Sequence, residues 1–310
     1  MKKNKILIYI PAYNEELLIE NTLLSIPKKI ENYEVEILII DDGSSDNTLQ
    51  ISKNLDVVNH IISLPENRGL ASSYNLALEF VIRNRFDLFL IFDADSQYHI
   101  NDVSKFIMYV NCKGYDVVIG NRKNIYDFYN KFQKYIHILG TIFISIVLGK
   151  RLKDPPSGFR LYNRKAIENN PIVYSRYTYT VESFFQYIDK KLSFIFVDSH
   201  VNKVPRKSRL YKSNVDYCLK IVNSLVMVTF LYRFHKISLF LALTSSFIGL
   251  ILGLRYLFHF FYVEKEEIFL PSLILSAILF TIGIVFFAIS VISYFLKNIR
   301  ITNEKINGKL

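Results

Sequence analysis

The chain has 310 residues, 51% of them hydrophobic and 21% charged, and a formal net charge of +10, which is length enough for one substantial core and something smaller. Its two cysteines, Cys112 and Cys218, lie far apart with no metal-ligand spacing; this excludes a disulfide-built scaffold and reads as reduced thiols of a cytosolic domain. The positive charge suits nucleic acid or an anionic membrane surface, and since no RNA- or DNA-binding motif accompanies it, the membrane is favoured and no nucleic acid is expected.

In chain order, Lys5–Ile10 is a short β-rich run that ends at Pro11. The basic start, Met1 to Lys5, leads into this strand rather than into an apolar leader segment, so no signal peptide is expected. Asn14-Glu15-Glu16 opens a helical pattern through Leu17, Leu18, Thr22 and Leu23, with Asn14 as its N-cap. Val35–Ile40 is a continuous apolar strand of the buried parallel type. It stops at the turn Asp41-Asp42-Gly43-Ser44-Ser45-Asp46, and Asn47 leads into a further helix. The periodicity predicts a helix over Gly69–Arg83, a strand over Leu88–Phe92, a helix over Asn101–Val110 and a short strand at Val117–Ile119. Strands alternating with helices, with polar residues gathered at the strand C-terminal ends, specify an α/β sheet, and in such sheets ligands sit at that edge. Lys131–Leu148 is strongly apolar but carries Lys134 and His137; it reads as a helix packed on the domain or lying on a membrane.

Composition changes after His235. Residues 215–236 read as a juxtamembrane interfacial helix, with a further span as the minority view. Ile237–Phe261 and Ile268–Leu296 are each long and apolar enough, on nearly every face, to cross a bilayer core of about 30 Å. Arg233 and Lys236 precede the first, Lys297, Arg300, Lys305 and Lys309 follow the second, and Glu264, Glu266 and Glu267 lie between them. The positive-inside rule then predicts an integral membrane protein with two spans, its large N-terminal domain (residues 1–214) and C-terminus cytoplasmic and the acidic turn outside. Asn303–Leu310 is polar and expected to fray. Exposed apolar spans also permit a homo-oligomer.

Leu88–Phe92 runs straight into Asp93-Ala94-Asp95. Two carboxylates one residue apart at the end of a buried strand repel each other unless a cation offsets the cost. Hard oxygen donors at this spacing suit Mg²⁺ or Mn²⁺, a metal that keeps waters and binds phosphates, and so point to a nucleotide-diphosphate substrate. In the Pro11-Ala12-Tyr13-Asn14-Glu15 turn, main-chain amides and the Glu15 carboxylate suit a base or ribose, or else Asn14 and Glu15 are only a cap and a first-turn acid. Asp42 can accept from a base N–H.

Six blocks stand in order: Pro11 to Glu16, Asp41 to Thr48, Asn67-Arg68-Gly69-Leu70-Ala71, Asp93-Ala94-Asp95-Ser96-Gln97, Gly120-Asn121-Arg122, and Asp154-Pro155-Pro156-Ser157-Gly158-Phe159-Arg160. Together they resemble the family 2 inverting glycosyltransferases, and within them the polyprenyl-phosphate sugar transferases related to dolichol-phosphate mannose synthase, over roughly the first 215 residues. The resemblance implies a GT-A-type nucleotide-diphospho-sugar transferase domain, followed here by the interfacial helix and transmembrane hairpin. It implies metal-dependent, inverting transfer of a hexose from a UDP- or GDP-sugar to a polyprenyl phosphate at the cytosolic membrane face. It assigns the metal to Asp93, Asp95 and Gln97, with Asp95 facing the diphosphate, and the nucleotide to Pro11, Tyr13, Glu15, Asp42, Asp93 and Ala94. Arg122 stands where the family holds the acceptor phosphate, with Lys131 or Lys134 in place of a second arginine. Ser157 and Arg160 fall near the sugar, and Glu182 matches a family acid that contacts sugar hydroxyls or acts as a base. Arg206, Lys207, Arg209 and Lys212 resemble a basic lid, though Lys212 and Asn214 replace the family's glycine and lysine. Two other readings keep the fold: transfer to a hydroxyl of a lipid-linked glycan or polysaccharide, which needs Glu182 as base, and a membrane-anchored scaffold without turnover.

Overall fold

The uninterrupted apolar run Ile6–Ile10 suits a strand covered on both faces, and it forms the middle of a mixed sheet. The computed structural model describes residues 4–169, 179–204, 214–262 and 270–307, and its contacts divide the chain into two compact units, Met1–Leu225 and Val226–Leu310. In the first unit β1 (Asn4–Ala12) pairs in parallel with β3 (Tyr33–Asp41) on one side and β5 (Leu88–Ile91) on the other. The sheet order is β2-β3-β1-β5-β7-β6-β8, with β2 at Lys29–Ile30, β6 at Val117–Arg122, β7 at Arg160–Asn163 and β8 at Phe194–Ser199. β4 (His60–Ser63) pairs in parallel with the end of β3, while β7 runs antiparallel between β5 and β6. Ile6, Ile8, Ile10, Leu90, Phe92 and Phe159 pack on one face. Tyr9 and Phe89 stack on the other, beside Tyr74 and Tyr162.

β1 passes through Pro11 instead of stopping there. The carbonyls of Lys5 and Tyr9 accept from Asp87 and Phe92 on the β5 side, so the N–H that Pro11 lacks would face that side too. Pairing with β5 ends at Tyr9–Ile91, and the proline therefore costs no ladder bond. The first helix also starts later than the sequence suggests. α1 (Ile19–Leu24) follows Leu18, and Asn14 is not its cap; Asn14 has φ +55° and its side chain accepts from the Ser45 N–H at 2.7 Å. The remaining helices of this unit are α2 (Thr48–Lys53), α3 (Leu70–Arg83), α4 (Asp102–Asn111), α5 (Lys131–Leu148), α6 (Arg164–Glu168) and α7 (Tyr179–Asp189). α5 has the predicted bounds: Asn130 and Gln133 form a capping box, and Gly149 ends the helix at φ +66°.

α8 (Asn214–Tyr262) is one continuous helix, with no break between the predicted interfacial segment and the first span. The sequence has no proline or glycine from Asn214 to Ile248, so the polar residues near Lys236 change the helix's surroundings without interrupting it. α9 (Leu270–Asn307) continues to Asn307, into the stretch expected to fray. Inside the second unit the two helices run antiparallel, held by Ser290 Oγ to the His235 carbonyl, Ser238 Oγ to the Phe286 carbonyl and Ser276 Oγ to the Gly249 carbonyl, each at 2.7 Å. Hydroxyl-to-carbonyl bonds and small residues at the contact suit helices that meet in lipid. Leu225–Tyr262 and Leu270–Ile299 are long and apolar enough to cross a membrane, and so by length and composition is α5. The predicted acidic turn lies outside the described residues, apart from Tyr262.

Candidate active site

The loops that follow β1, β3 and β5 meet at one edge of the sheet. After β1 and β3 they are sewn together: the Glu15 N–H donates to Thr48 Oγ1 at 2.7 Å, and the Glu16 carboxylate accepts from the backbone and side chain of Asn47 at 3.1 and 3.0 Å. Glu15 is buried by this arrangement, Pro11 lies within β1, and Tyr13 stays exposed. Asp42 is buried as well. Its Oδ1 accepts from the Arg68 N–H and its Oδ2 from the Gly69 N–H, both at 2.8 Å, which fixes the start of α3. The acid expected to read a base thus also ties two sequence blocks together; each oxygen retains a lone pair for a ligand.

The acid pair sits past the end of β5. Ala94 is buried, with its carbonyl accepting from Thr22 Oγ1 at 3.0 Å, and Thr22 also meets Ser96 Oγ at 2.7 Å. Asp95 Oδ1 accepts from the Gln97 N–H at 3.2 Å, closing a tight turn. From the other side, Asn202 donates its N–H to the Gln97 carbonyl at 2.8 Å and its side chain to the Ser96 carbonyl at 3.1 Å. Asp93 lies over Gly158, where a Cβ would come within 3.3 Å of its Oδ2. Burial first, and then the charge of Asp95, push the Asp93 carboxyl up to about 7, against the pull of a hydrogen bond from Tyr98. A carboxyl so raised beside a second acid carries a deficit that a divalent cation removes. Asp93, Asp95 and the Gln97 amide are all oxygen donors, a fit for Mg²⁺ or Mn²⁺. Among the described residues no cluster of three His, Cys, Asp or Glu could hold a metal.

Arg122, at the end of β6, is buried and gripped by Asp154: Nε to Oδ2 at 2.7 Å and Nη2 to Oδ1 at 2.9 Å. His137 Nε2 approaches the same carboxylate at 3.2 Å, while Tyr126 OH meets Nδ1 at 3.0 Å. Burial alone would raise Asp154, but the Arg122 charge and the hydrogen bonds from Arg122 and His137 hold it well below the ordinary carboxylate range. Two of the five guanidinium donors are thus committed to Asp154. Arg160 is fully buried too and donates to the carbonyls of Ser157, Pro155 and Thr180 at 2.9, 2.9 and 2.8 Å. Such a network knits α7 to the loop before β7, so the side chain orders the site from behind. Ser157 Oγ is buried and has no hydrogen-bond partner among the described residues. Glu182 on α7 is fully buried, which excludes a solvated helix charge. Lys131 and Lys134 are exposed at the start of α5, with Lys134 over the Tyr126 ring at 5.2 Å. Arg206, Lys207, Arg209 and Lys212 lie outside the described residues.

The sequence reading missed the groups that hold these residues in place: Tyr98 against Asp93, Thr22 and Asn202 on the acid loop, and His137 on Asp154. Their signal is tertiary, since Asn202 stands 106 positions from Ser96.

Comparison with known proteins agrees with this architecture. The glycosyl transferase family 2 model matches residues 7–170. An uncharacterized protein of Methanocaldococcus jannaschii is 33% identical over 176 residues, covering 54% of this chain and 68% of its own. The UDP-N-acetylglucosamine–dolichyl-phosphate N-acetylglucosaminyltransferase of Methanococcus voltae is 31% identical, covering 54% and 73%. The undecaprenyl-phosphate 4-deoxy-4-formamido-L-arabinose transferase of Proteus mirabilis is 32% identical, covering 54% of this chain and about half, 51%, of the relative. Among solved structures, glucosyl-3-phosphoglycerate synthase from Mycobacterium tuberculosis, in complex with Mn²⁺, uridine diphosphate and glucosyl-3-phosphoglycerate, superposes with a TM-score of 0.58 at 16% identity, covering 73% of this chain and 79% of that one. The same enzyme was also solved with Mg²⁺ and uridine diphosphate. The mixed sheet is a GT-A-like fold, and the chain is a glycosyltransferase that belongs to glycosyl transferase family 2.

Proposed function

We propose that this glycosyltransferase moves a hexose, with inversion, from a UDP- or GDP-sugar to a polyprenyl phosphate at the cytosolic face of a membrane. The observation that carries the reading is the Asp93-Ala94-Asp95 pair at the end of a central strand, where burial and mutual repulsion call for a cation. Relatives whose names specify dolichyl or undecaprenyl phosphate support a lipid phosphate acceptor. So do two helices in the same chain long and apolar enough to cross a membrane. We take these as two spans with the catalytic unit and the C-terminus on the cytosolic side.

Asp93, Asp95 and Gln97 would hold Mg²⁺ or Mn²⁺, which supplies positive charge against the departing nucleotide diphosphate. The chain's own part is positioning. Glu15, Asp42 and the Pro11–Tyr13 backbone bound the nucleotide, while Thr22 and Asn202 fix the acid loop from opposite sides. Ser157, with its unspent hydroxyl, and buried Glu182 serve the sugar. Lys131, Lys134 and the basic stretch around Arg206, Arg209 and Lys212 draw in the acceptor phosphate. A phosphate monoester is largely dianionic near neutral pH (second pKa about 6). No base is then required, and orientation for in-line attack dominates the barrier.

The test is incubation of the purified chain in bilayers with polyprenyl phosphate and a panel of nucleotide sugars, with mass spectrometry of the lipid. One sugar phosphate lipid should form, be lost in EDTA, and be lost in Asp95→Asn while that variant still inserts in membranes. Transfer that survives EDTA overturns the metal assignment. Product on a glycan hydroxyl, abolished by Glu182→Gln, replaces the acceptor.

A further inference from the structure

Tyr98 is buried just past the acid loop, and its hydroxyl is shared between two parts of the site. The Gly158 N–H donates to it at 3.3 Å. A backbone N–H can only donate, so the one phenolic proton is left for the other partner, the Asp93 carboxylate. The residue has little room to move. Its ring stacks on Phe159 with centroids 4.7 Å apart and planes 14° from parallel. Its backbone bridges Val201, whose N–H and carbonyl meet the Asn124 side chain at 2.9 and 2.8 Å.

Gly158 also meets the carboxylate directly. A Cβ there would stand 3.3 and 3.5 Å from the two Asp93 oxygens. Its φ is not left-handed, so what this position asks of glycine is closeness to Asp93 and not backbone freedom. The segment around it is fixed as well: Phe159 is fully buried, and its carbonyl accepts from the Gly120 N–H at 2.8 Å. Tyr98 therefore joins an acid of the metal site to the segment that carries Ser157. Packing alone would be met by phenylalanine, which keeps the stack on Phe159 and buries no polar atom.

We propose that the Tyr98 hydroxyl registers Asp93 on the Ser157-Gly158-Phe159 segment, so that the metal half and the sugar half of the donor site are set as one unit. Tyr98 is a positioning residue, acting through Asp93 and Gly158. A carboxylate held by such a hydrogen bond meets a cation already oriented, and losing the partner typically costs about 10–100-fold in metal affinity. The inference rests on the metal and sugar assignments of the function proposed above.

The experiment uses the full chain in bilayers and follows free Mn²⁺ by its electron paramagnetic resonance signal. Uridine or guanosine diphosphate is present, whichever the wild type binds. Tyr98→Phe should weaken Mn²⁺ binding about 10–100-fold. Tyr33→Phe is the control: it too removes a buried phenol, bonded to Asn111 at 3.1 Å at the opposite end of β3 from Asp41, and should bind Mn²⁺ as the wild type does. Gly158→Ala should weaken Mn²⁺ as well, because the added methyl crowds Asp93 with Tyr98 in place. In the double variant the losses should be less than multiplicative, since an Asp93 released from Tyr98 can yield to the methyl. Unchanged Mn²⁺ affinity in Tyr98→Phe or in Gly158→Ala overturns the proposal, as do losses that multiply. A Tyr98→Phe chain that unfolds, or that melts lower while binding Mn²⁺ as tightly, shows a hydroxyl that serves folding only and overturns it too. If the wild type holds no Mn²⁺ with either diphosphate, the metal assignment fails first and takes this inference with it.

Discussion

A carboxylate buried between a guanidinium and an imidazole stabilises a fold only while it is charged. Asp154 is so placed, against Arg122 and His137, and its folded value lies well below the ordinary one. Its contribution is therefore complete at neutral pH and is lost as the pH falls below about 4, the unfolded value, towards the folded one. Asp154→Asn leaves the Arg122 charge buried and uncompensated, a loss of roughly 3–5 kcal/mol. Thermal unfolding in detergent, followed through the near-ultraviolet signal of the 21 tyrosines, should show a lower midpoint for the variant at pH 7. The gap from wild type should narrow as the pH falls below 4. Equal midpoints at pH 7 would remove the pair from the stability account. Both residues belong to blocks legible in the sequence, but their pairing does not, because it joins positions 32 apart. An arginine before a loop looks the same whether a phosphate or a carboxylate completes it.

Among elements, what the sequence makes legible is what local pattern controls. The buried parallel strands at Val35–Ile40 and Leu88–Phe92 announce themselves by unbroken apolar runs, and α5 by its cap and periodicity. β4 and β7 do not, since polar residues at both ends leave each only two apolar or aromatic residues between, and β8 does not, since its apolar start gives way to Asp198 and Ser199. β7 owes its place to antiparallel partners far away in sequence. The turn after β3 is a middle case. A glycine in an Asp-Asp-Gly-Ser turn reads only as permitting the turn, but Gly43 has φ +74° and the Glu66 carbonyl carbon 2.6 Å from where a Cβ would stand. Gly43→Ala thus forces apart two loops that Asp42 joins through Arg68 and Gly69. Strain of this kind costs about 1–3 kcal/mol, and the shift in Asp42 should weaken uridine or guanosine diphosphate binding several-fold by calorimetry. Gly114→Ala is the control, since it shares the positive φ, at +71°, but a Cβ there meets nothing within 4 Å. Equal nucleotide affinity in the two variants would show that the turn is not part of the nucleotide site.

The division of the whole molecule was visible as a step in hydropathy near His235, whereas its contacts divide at Leu225–Val226, because α8 carries one backbone through both regimes. The proposed topology rests on charge. Arg233, Lys236, Lys297 and Arg300 flank the apolar stretches, and Glu264, Glu266 and Glu267 lie between them; the positive-inside rule expects basic flanks in the cytosol. With two spans, Cys112, which is exposed on the catalytic unit, and residue 266 fall on opposite sides of the membrane. If α5 also crossed, the chain would traverse three times and bring them to the same side. A Cys218→Ser, Glu266→Cys chain in intact cells should therefore react with a membrane-impermeant maleimide at position 266 alone, and at Cys112 only after lysis. Labelling of Cys112 alone inverts the orientation. Labelling of both, or of neither, before lysis makes α5 a span and overturns the two-span topology.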